Sequence, residues 1–479
     1  MISRHFSSRP LRAALIACSL FGLSACVRYQ PHPISPEKSA ADFSARSLND
    51  EGLRRFLAEN LGQNPPSWPM LQWDFEPLVL AAYYFQPGLE VARAEWRVAM
   101  AGKTTAGERP NPTLGLSGTY DTTTPPPWIP AVTFDIPIET GRKRGYRLAQ
   151  AQHLAEAARW NLYGAVWQVR SGVRAALLDL FSARETQTLL ARQEAAQAEV
   201  VRLLDGQRAA GAVAGVEVTQ ARIALETSQL GRQQAARENE EALARLADAL
   251  GVPVAALAEA ALSFAGLDEF PTRLTAPEVR RGAILNRTDI RGALAEYSAS
   301  QSALQLAIAS QFPDLNLGPG YEFDQTDNKW TLGVSLALPL LNQNQGAIAE
   351  ARAKRELAAA HFLEVQSKAA GQIDLALAAY QAALRQAATA AALLDNLQKA
   401  LDSVRGMQQA GEADPLAVAS AQVAFSAGAL ARLDALVKAQ RALGQLEDAV
   451  QSPLVLSPAM LHHAEANPRE TQAAINHEP

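Results

Sequence analysis

Two hydrophobic periods alternate along this chain. In one long run, apolar residues recur every three or four positions, as at Val166, Val169, Val173, Leu177 and Leu180. A second run repeats the rhythm at Ile373, Leu377, Tyr380, Leu384, Ala387, Ala391 and Leu394. This is the helical period. Upstream of each run the period drops to two. Leu114, Leu116 and Tyr120 alternate with Thr113, Gly115, Ser117 and Thr119, and Val132, Phe134, Ile136 and Ile138 alternate with Thr133 and Asp135. Leu315, Leu317, Tyr321 and Phe323 alternate with Asn316, Gly318, Gly320 and Glu322, and Trp330, Leu332, Val334, Leu336 and Leu338 with Thr331, Gly333, Ser335 and Ala337. The spacing predicts four strands in two β-hairpins, 113–138 and 315–338, the second closed by a polar loop at 324–329.

The helical runs predict two long hairpins, 146–250 and 346–450, turning at Ala210-Gly211 and Ala410-Gly411, two hundred positions apart. A first arm of about sixty-five residues reaches roughly 100 Å, beyond an ordinary globular helix and in the range of coiled coils and helical tubes. A helix over 76–106, bent or interrupted at Pro87-Gly88, precedes the first strand pair. The chain therefore divides into two structural repeats, 48–251 and 282–452, joined by a connector at 252–281 and followed by a mobile tail at 453–479. Residues 26–47 read as an extended linker.

The strands carry large apolar residues on one face and small polar residues on the other. Tyr120, Trp128, Tyr321, Phe323 and Trp330 cluster near the loop ends. Such faces suit lipid-facing barrel strands with interfacial aromatics; a soluble sheet stays open on pattern alone. Four strands do not close around a lumen, and an open edge in lipid leaves backbone groups unpaired at several kcal/mol each. In a membrane, these strands demand closure by identical copies with cyclic symmetry.

The first residues look like a targeting segment. Arg4, Arg9 and Arg12 precede the short apolar stretch 13–22, and Leu23-Ser24-Ala25-Cys26 resembles the bacterial lipoprotein box. Residues 1–25 would then be a signal peptide and Cys26 the lipidated first residue, with Val27 favouring outer-membrane sorting. The other cysteine, Cys18, lies in the removed part, which leaves no disulfide framework. A net charge of −5 over 479 residues gives no basic excess for nucleic acid. No phosphate loop, nucleophile elbow or paired-cysteine metal spacing is present, and His462-His463 is the only adjacent histidine pair. No enzyme and no cofactor beyond the lipid on Cys26 is expected.

The repeated order of helix, strand pair and long helical hairpin resembles the TolC family of outer-membrane efflux proteins over about residues 45–452. Asn111-Pro112-Thr113-Leu114 and Phe312-Pro313-Asp314-Leu315 look like the family's leads into each first strand, and Pro137-Ile138 and Pro339-Leu340 like its exits. The resemblance implies an α+β membrane protein: a homotrimer whose twelve strands, four per chain, form one transmembrane β-barrel in outer-membrane lipid. A helical tube would continue it across the periplasm to an adaptor protein and an inner-membrane pump of the RND type. Gly211 and Gly411 would sit at the adaptor-docking tips. The function implied is a passive conduit for drugs, metal cations or other small solutes. Type I protein secretion and a non-channel coiled-coil spacer remain alternatives.

The family often carries an Asp-Val step after the tip glycine. Glu217-Val218 matches it here, whereas Ala417-Val418 lacks the carboxylate, with Glu412 and Asp414 nearby. These acids read either as a cation-favouring ring at the tube mouth or as solvated turn residues. Asp205, Arg208, Asp402 and Arg405, just before the tips, are candidate gate charges. The stretch from Glu139 to Arg144 resembles the family's heavy-metal branch, or is a solvated basic junction.

Overall fold

The computed structural model of the chain describes residues 29–123, 125–271, 281–284 and 286–455. Residues 1–25, Cys26, Thr124 in the first strand connection, and His462-His463 lie outside the described residues. The chain divides after Arg46 into two compact units. In the first, helix α1 (Pro36–Ser44) replaces the extended linker expected there. The start signal is local: Ser35 Oγ accepts the Lys38 N–H at 3.3 Å, Pro36 stands in the first turn and Glu37 follows it.

The second unit opens with α2 (Glu51–Leu61), capped by Asp50 and ended by Gly62 at φ +68°. Helices α3 (Phe75–Phe85) and α4 (Pro87–Gly107) follow. The bend expected at Pro87 is a break, because a proline ring pushes the preceding residue out of the helical region; Gln86 is extended, at φ −69° and ψ 116°. Then come β1 (Thr113–Tyr120) and β2 (Trp128–Ile138). The hairpin α5 (Lys143–Ala209) and α6 (Gly215–Leu250) completes the first repeat. The second consists of α7 (Thr288–Ala309), β3 (Leu315–Asp324), β4 (Asp327–Leu336), α8 (Gln345–Gln409) and α9 (Pro415–Val450).

The strands form one antiparallel sheet in the order β1-β2-β3-β4. The polar loop expected at 324–329 is shorter. Asp324 pairs with Asp327 across a tight turn in which Gln325 takes φ +58°. Lys329 joins the strand, its Nζ 2.5 Å from Asp324 Oδ2.

The long helices lie in the order α6, α5, α9, α8, with α5 against α9 as the joint between repeats. α4 lies along α5, and α7 rests on both α5 and α8. The packing thickens in one zone. Helix α3 is apolar all round and buried, with Leu78, Val79, Leu80, Ala81 and Ala82 wholly inaccessible. It sits with α2 and the connector on the middle of α5 and the end of α6. A second cluster joins Ile373, Leu377 and Tyr380 of α8 to Leu443 and Leu446 of α9. Leu454 and Val455 pack against that cluster, so the first residues of the expected tail are seated, and the rest lies outside the described residues. Helix α9 is long and apolar enough to cross a membrane by length and composition, but it packs along α5 and α8.

Candidate conduit surfaces

The strand register lines up the apolar residues across the sheet. Leu116 faces Val132, Val132 faces Tyr321, and Tyr321 faces Trp330. Ile136 faces Leu317 and Leu317 faces Val334; Ile138 faces Leu315 and Leu315 faces Leu336. Side chains alternate along a strand, so all of these share one face. That face is bare, with Leu116 75%, Leu332 72% and Trp330 80% exposed. Tyr120 stacks edge-on to Trp128 at 5.1 Å, and Tyr321 leans on Trp330 at 4.8 Å. Phe323 lies further out, opposite Asn328. The opposite face carries the row Gly115, Thr133, Gly320, Thr331. Within one chain β1 and β4 are open edges.

At the strand-to-helix junctions the two repeats share a backbone device. Arg142 and Asn344, each just before its long helix, hold φ of 60° and 62°. In the first junction the basic cluster is tied inward. Lys143 Nζ lies 2.7 Å from Asp314 Oδ1, which also accepts the Thr140 N–H at 2.9 Å. Arg147 pairs with Glu139 through both oxygens, and Arg144 Nε donates to the Gly107 carbonyl at 2.6 Å. Burial pushes the Asp314 carboxyl up, but the Lys143 hydrogen bond, the Thr140 N–H and the charges of Lys143 and Arg147 outweigh it, and its pKa falls below the ordinary value. Much of the cluster's charge therefore fastens the exit of β2 to the lead into β3.

At the tips Gly211 and Gly411 hold φ of +75° and +81°. Each closes its helix by paired bonds, Ala212 N–H to the Gln207 carbonyl and Gly211 N–H to that of Arg208 in the first. Asp414 caps α9 by accepting the Ala417 N–H at 2.8 Å. It also accepts from Gln207 Nε2 at 3.4 Å, across the two hairpins. The candidate gate charges are engaged within their own hairpins. Asp205 pairs with Arg222 at 2.9 Å, a partner the sequence reading had not singled out. At the equivalent positions Arg405 donates to Gln422 at 2.7 Å and lies 3.7 Å from Asp402. Arg208 leans on Gly215, where a Cβ would be 3.5 Å from its guanidinium carbon, and Glu217 and Glu412 are exposed.

A buried charge cluster escaped the sequence reading. Glu447 of α9, 1% exposed, lies 3.3 Å from both Arg170 and Arg174 of α5, and its other oxygen accepts the Leu454 N–H at 2.8 Å. Arg174 also grips Gln440 through its carbonyl at 3.0 Å and its side-chain oxygen at 2.9 Å. Burial lowers the Arg174 pKa against the raising pull of Glu447. The available signal was the placing of charges inside the apolar stripes, Arg170 and Arg174 between Val166 and Leu177, and Glu447 beside Leu446. Among the described residues no group of three or more His, Cys, Asp or Glu side chains is arranged to hold a metal ion.

The sequence profile of the family described as outer membrane efflux protein matches residues 85–252 and 279–450, one block in each repeat. The chain belongs to that family. Membership places it among the outer membrane efflux proteins. It is 28% identical over 235 residues to the cobalt-zinc-cadmium resistance protein CzcC of Cupriavidus metallidurans, covering 48% of this chain and 54% of that one. It is 29% identical over 338 residues to the pyoverdine export outer membrane protein OpmQ of Pseudomonas aeruginosa, covering 66% and 69%. The crystal structure of the outer membrane protein VceC of Vibrio cholerae superposes with a TM-score of 0.64 at 20% identity, over 79% of this chain and 96% of that one. The efflux protein thus has the TolC-like fold, with four strands and long helical hairpins in two repeats.

Proposed function

We propose that this efflux protein is the outer-membrane channel of a tripartite efflux system and works as a homotrimer. The observation that carries the reading is the sheet: a bare apolar face, aromatic pairs near one end, and two open edges. An edge in lipid costs several kcal/mol per unpaired group, so β4 of one copy pairs with β1 of the next until the ring closes. Three copies supply the number of strands that leaves a lumen, and the Gly- and Thr-rich face lines it. The helical hairpins carry the conduit onward to their tips, where Gly211 and Gly411 present turns to a periplasmic adaptor and an inner-membrane pump of the RND type. Glu217, Glu412 and Asp414 stand at the mouth. Acylation of Cys26 anchors the chain to the outer membrane.

Cargo is selected by the pump. One relative is named for resistance to cobalt, zinc and cadmium, and another for pyoverdine export, so metal cations and small organic solutes are the classes to test. The experiment is the mass of the unboiled, detergent-extracted protein from fractionated envelopes, with survival of a deletion strain on zinc, cobalt and cadmium and on drugs. A trimer in the outer membrane with a sensitised deletion strain is expected. A monomer in the periplasmic fraction would overturn the channel and leave a coiled-coil spacer. A Cys26→Ser protein is expected to lose the mass of its acyl groups.

A further inference from the structure

The two outer helices of the four-helix layer carry matching apolar stripes. The order α6, α5, α9, α8 leaves α6 and α8 each with one side uncovered. On α6, Val216, Ile223 and Leu230 recur every seven residues and are 61%, 57% and 66% exposed. They do not face α5, toward which the buried positions Val218, Ser228 and Ala235 point. On α8, Leu393, Ala400 and Met407 also recur every seven residues; Leu393 is 47% and Met407 43% exposed, and Ala400 is exposed. They avoid the face that buries Leu401.

The heights agree. Val216, Ile223 and Leu230 stand five, twelve and nineteen residues after Gly211, while Met407, Ala400 and Leu393 stand four, eleven and eighteen before Gly411. The mismatch is one residue, about 1.5 Å along the axis. The stripes run antiparallel over three layers each, the spacing that knobs-into-holes packing needs.

The chain also contains a template for the joint. By the repeat, α5 corresponds to α8 and α6 to α9. The contact of α5 with α9 inside one chain therefore has its counterpart in α8 against α6 of a neighbouring copy. At the tip the internal joint places Gln193, Val200 and Gln207 of α5 at the heights of Leu416, Val423 and Leu430 of α9, all six half-buried, with Gln207 reaching Asp414. At the matching positions the outer stripes hold no amide and no charge. Exposed Glu217 and Glu226 flank the stripe of α6 and Lys399 that of α8, where Lys399 pairs with Asp395 at 2.5 Å; Asp205, Arg222, Asp402 and Arg405 are engaged within their own hairpins.

We infer that neighbouring copies are joined near their tips by an apolar seam in which Val216, Ile223 and Leu230 of one copy pack on Met407, Ala400 and Leu393 of the next. The seam inside each copy contains amides instead, so the tip ring alternates two kinds of joint. The inference rests on the trimer proposed above and assigns the residues that hold it together away from the membrane.

The test is oxidative cross-linking in membranes. The double variant Ile223→Cys with Ala400→Cys is expected to give covalent dimers and trimers on non-reducing gels, which neither single variant gives as a ladder. Val200→Cys with Val423→Cys is expected to cross-link within one chain and stay at monomer mass. Ile223→Cys with Met407→Cys, one heptad out of register, is expected to remain unlinked. If Ile223→Cys with Ala400→Cys stays monomeric while the unboiled protein runs as a trimer, the seam is wrong and the trimer stands. Cross-linking of the Met407 pair in place of the Ala400 pair would overturn the register. An unboiled monomer would remove both the trimer and the seam.

Discussion

Gly211 and Gly411 turn the chain at +75° and +81° with open space where a Cβ would sit, so conformation rather than crowding demands glycine there. An L-residue in this region costs about 1–2 kcal/mol, and a β-branched one more. Gly211→Val is expected to speed amide exchange at residues 210–212 by roughly tenfold or more, with Gly211→Asn closer to wild type. Equal protection in all three proteins would count against the turn's dependence on glycine. At Glu447 the demand is electrostatic. Two arginines, 3% and 4% exposed, share one carboxylate that is 1% exposed. Gly444 makes room for Arg174, since a Cβ there would fall 2.4 Å from its Nη1. Removing the carboxylate takes the shared anion from two buried cations, at a cost of about 3–5 kcal/mol. Glu447→Gln should therefore lower the thermal midpoint of the detergent-solubilised protein clearly, and adding Arg174→Met should recover part of the loss.

At the scale of elements, the junction of β2 with α5 is a clamp whose strength follows pH. The Asp314 pKa is depressed in the folded protein. Its contribution is therefore fully present above the ordinary carboxylate value, near 4, and is lost as pH falls through the lower folded value. The difference in thermal midpoint between wild type and Asp314→Asn is expected to be constant above pH 5 and to shrink below pH 4, within the usual carboxylate range. A difference that grows on acidification would refute the clamp. The elements themselves were legible because burial and lipid exposure both write a period into the sequence: two for β1 to β4, three to four for α5 and α8. Helix α1 was missed because its signal is a single cap, Ser35 before Pro36, with no buried face to give a period. The tip glycines were legible from composition, but their charge pairing was not. Asp205 meets Arg222 seventeen residues away because of the rotational phase of two helices across a turn, and Glu447 meets Arg170 from 277 residues away. The repeat also hides compensations. Gln197 and Ser228 hold buried polar atoms in the first hairpin. The equivalent Leu397 and Gly428 of the second approach so closely that a Cβ at Gly428 would be 2.3 Å from Leu397 Cδ1.

For the whole molecule, the claim most open to refutation is which face of the sheet meets lipid. Val334 lies on the bare face of β4, between Leu332 and Leu336, and pairs with Leu317. Ser335, one residue on, points to the other face and pairs with Asn316. In a barrel, arginine on the lipid side near the midplane costs about 2–4 kcal/mol per chain, whereas a lumen substitution leaves stability nearly unchanged. With three copies the penalty approaches roughly 6–12 kcal/mol per assembly, enough to prevent assembly. Val334→Arg should therefore abolish the unboiled trimer in the outer-membrane fraction, while Ser335→Arg should keep it and alter only the passage of charged solutes. The opposite outcome would put Ser335 on the lipid side and turn the barrel inside out relative to this reading. Equal tolerance of both would mean that the sheet faces water on each side. The apolar rows from Leu116 to Trp330 would then have to be covered by protein, which no helix of the chain provides among the described residues. The sheet's own chemistry therefore makes the paired substitution decisive between a wall in lipid and a docking face for protein.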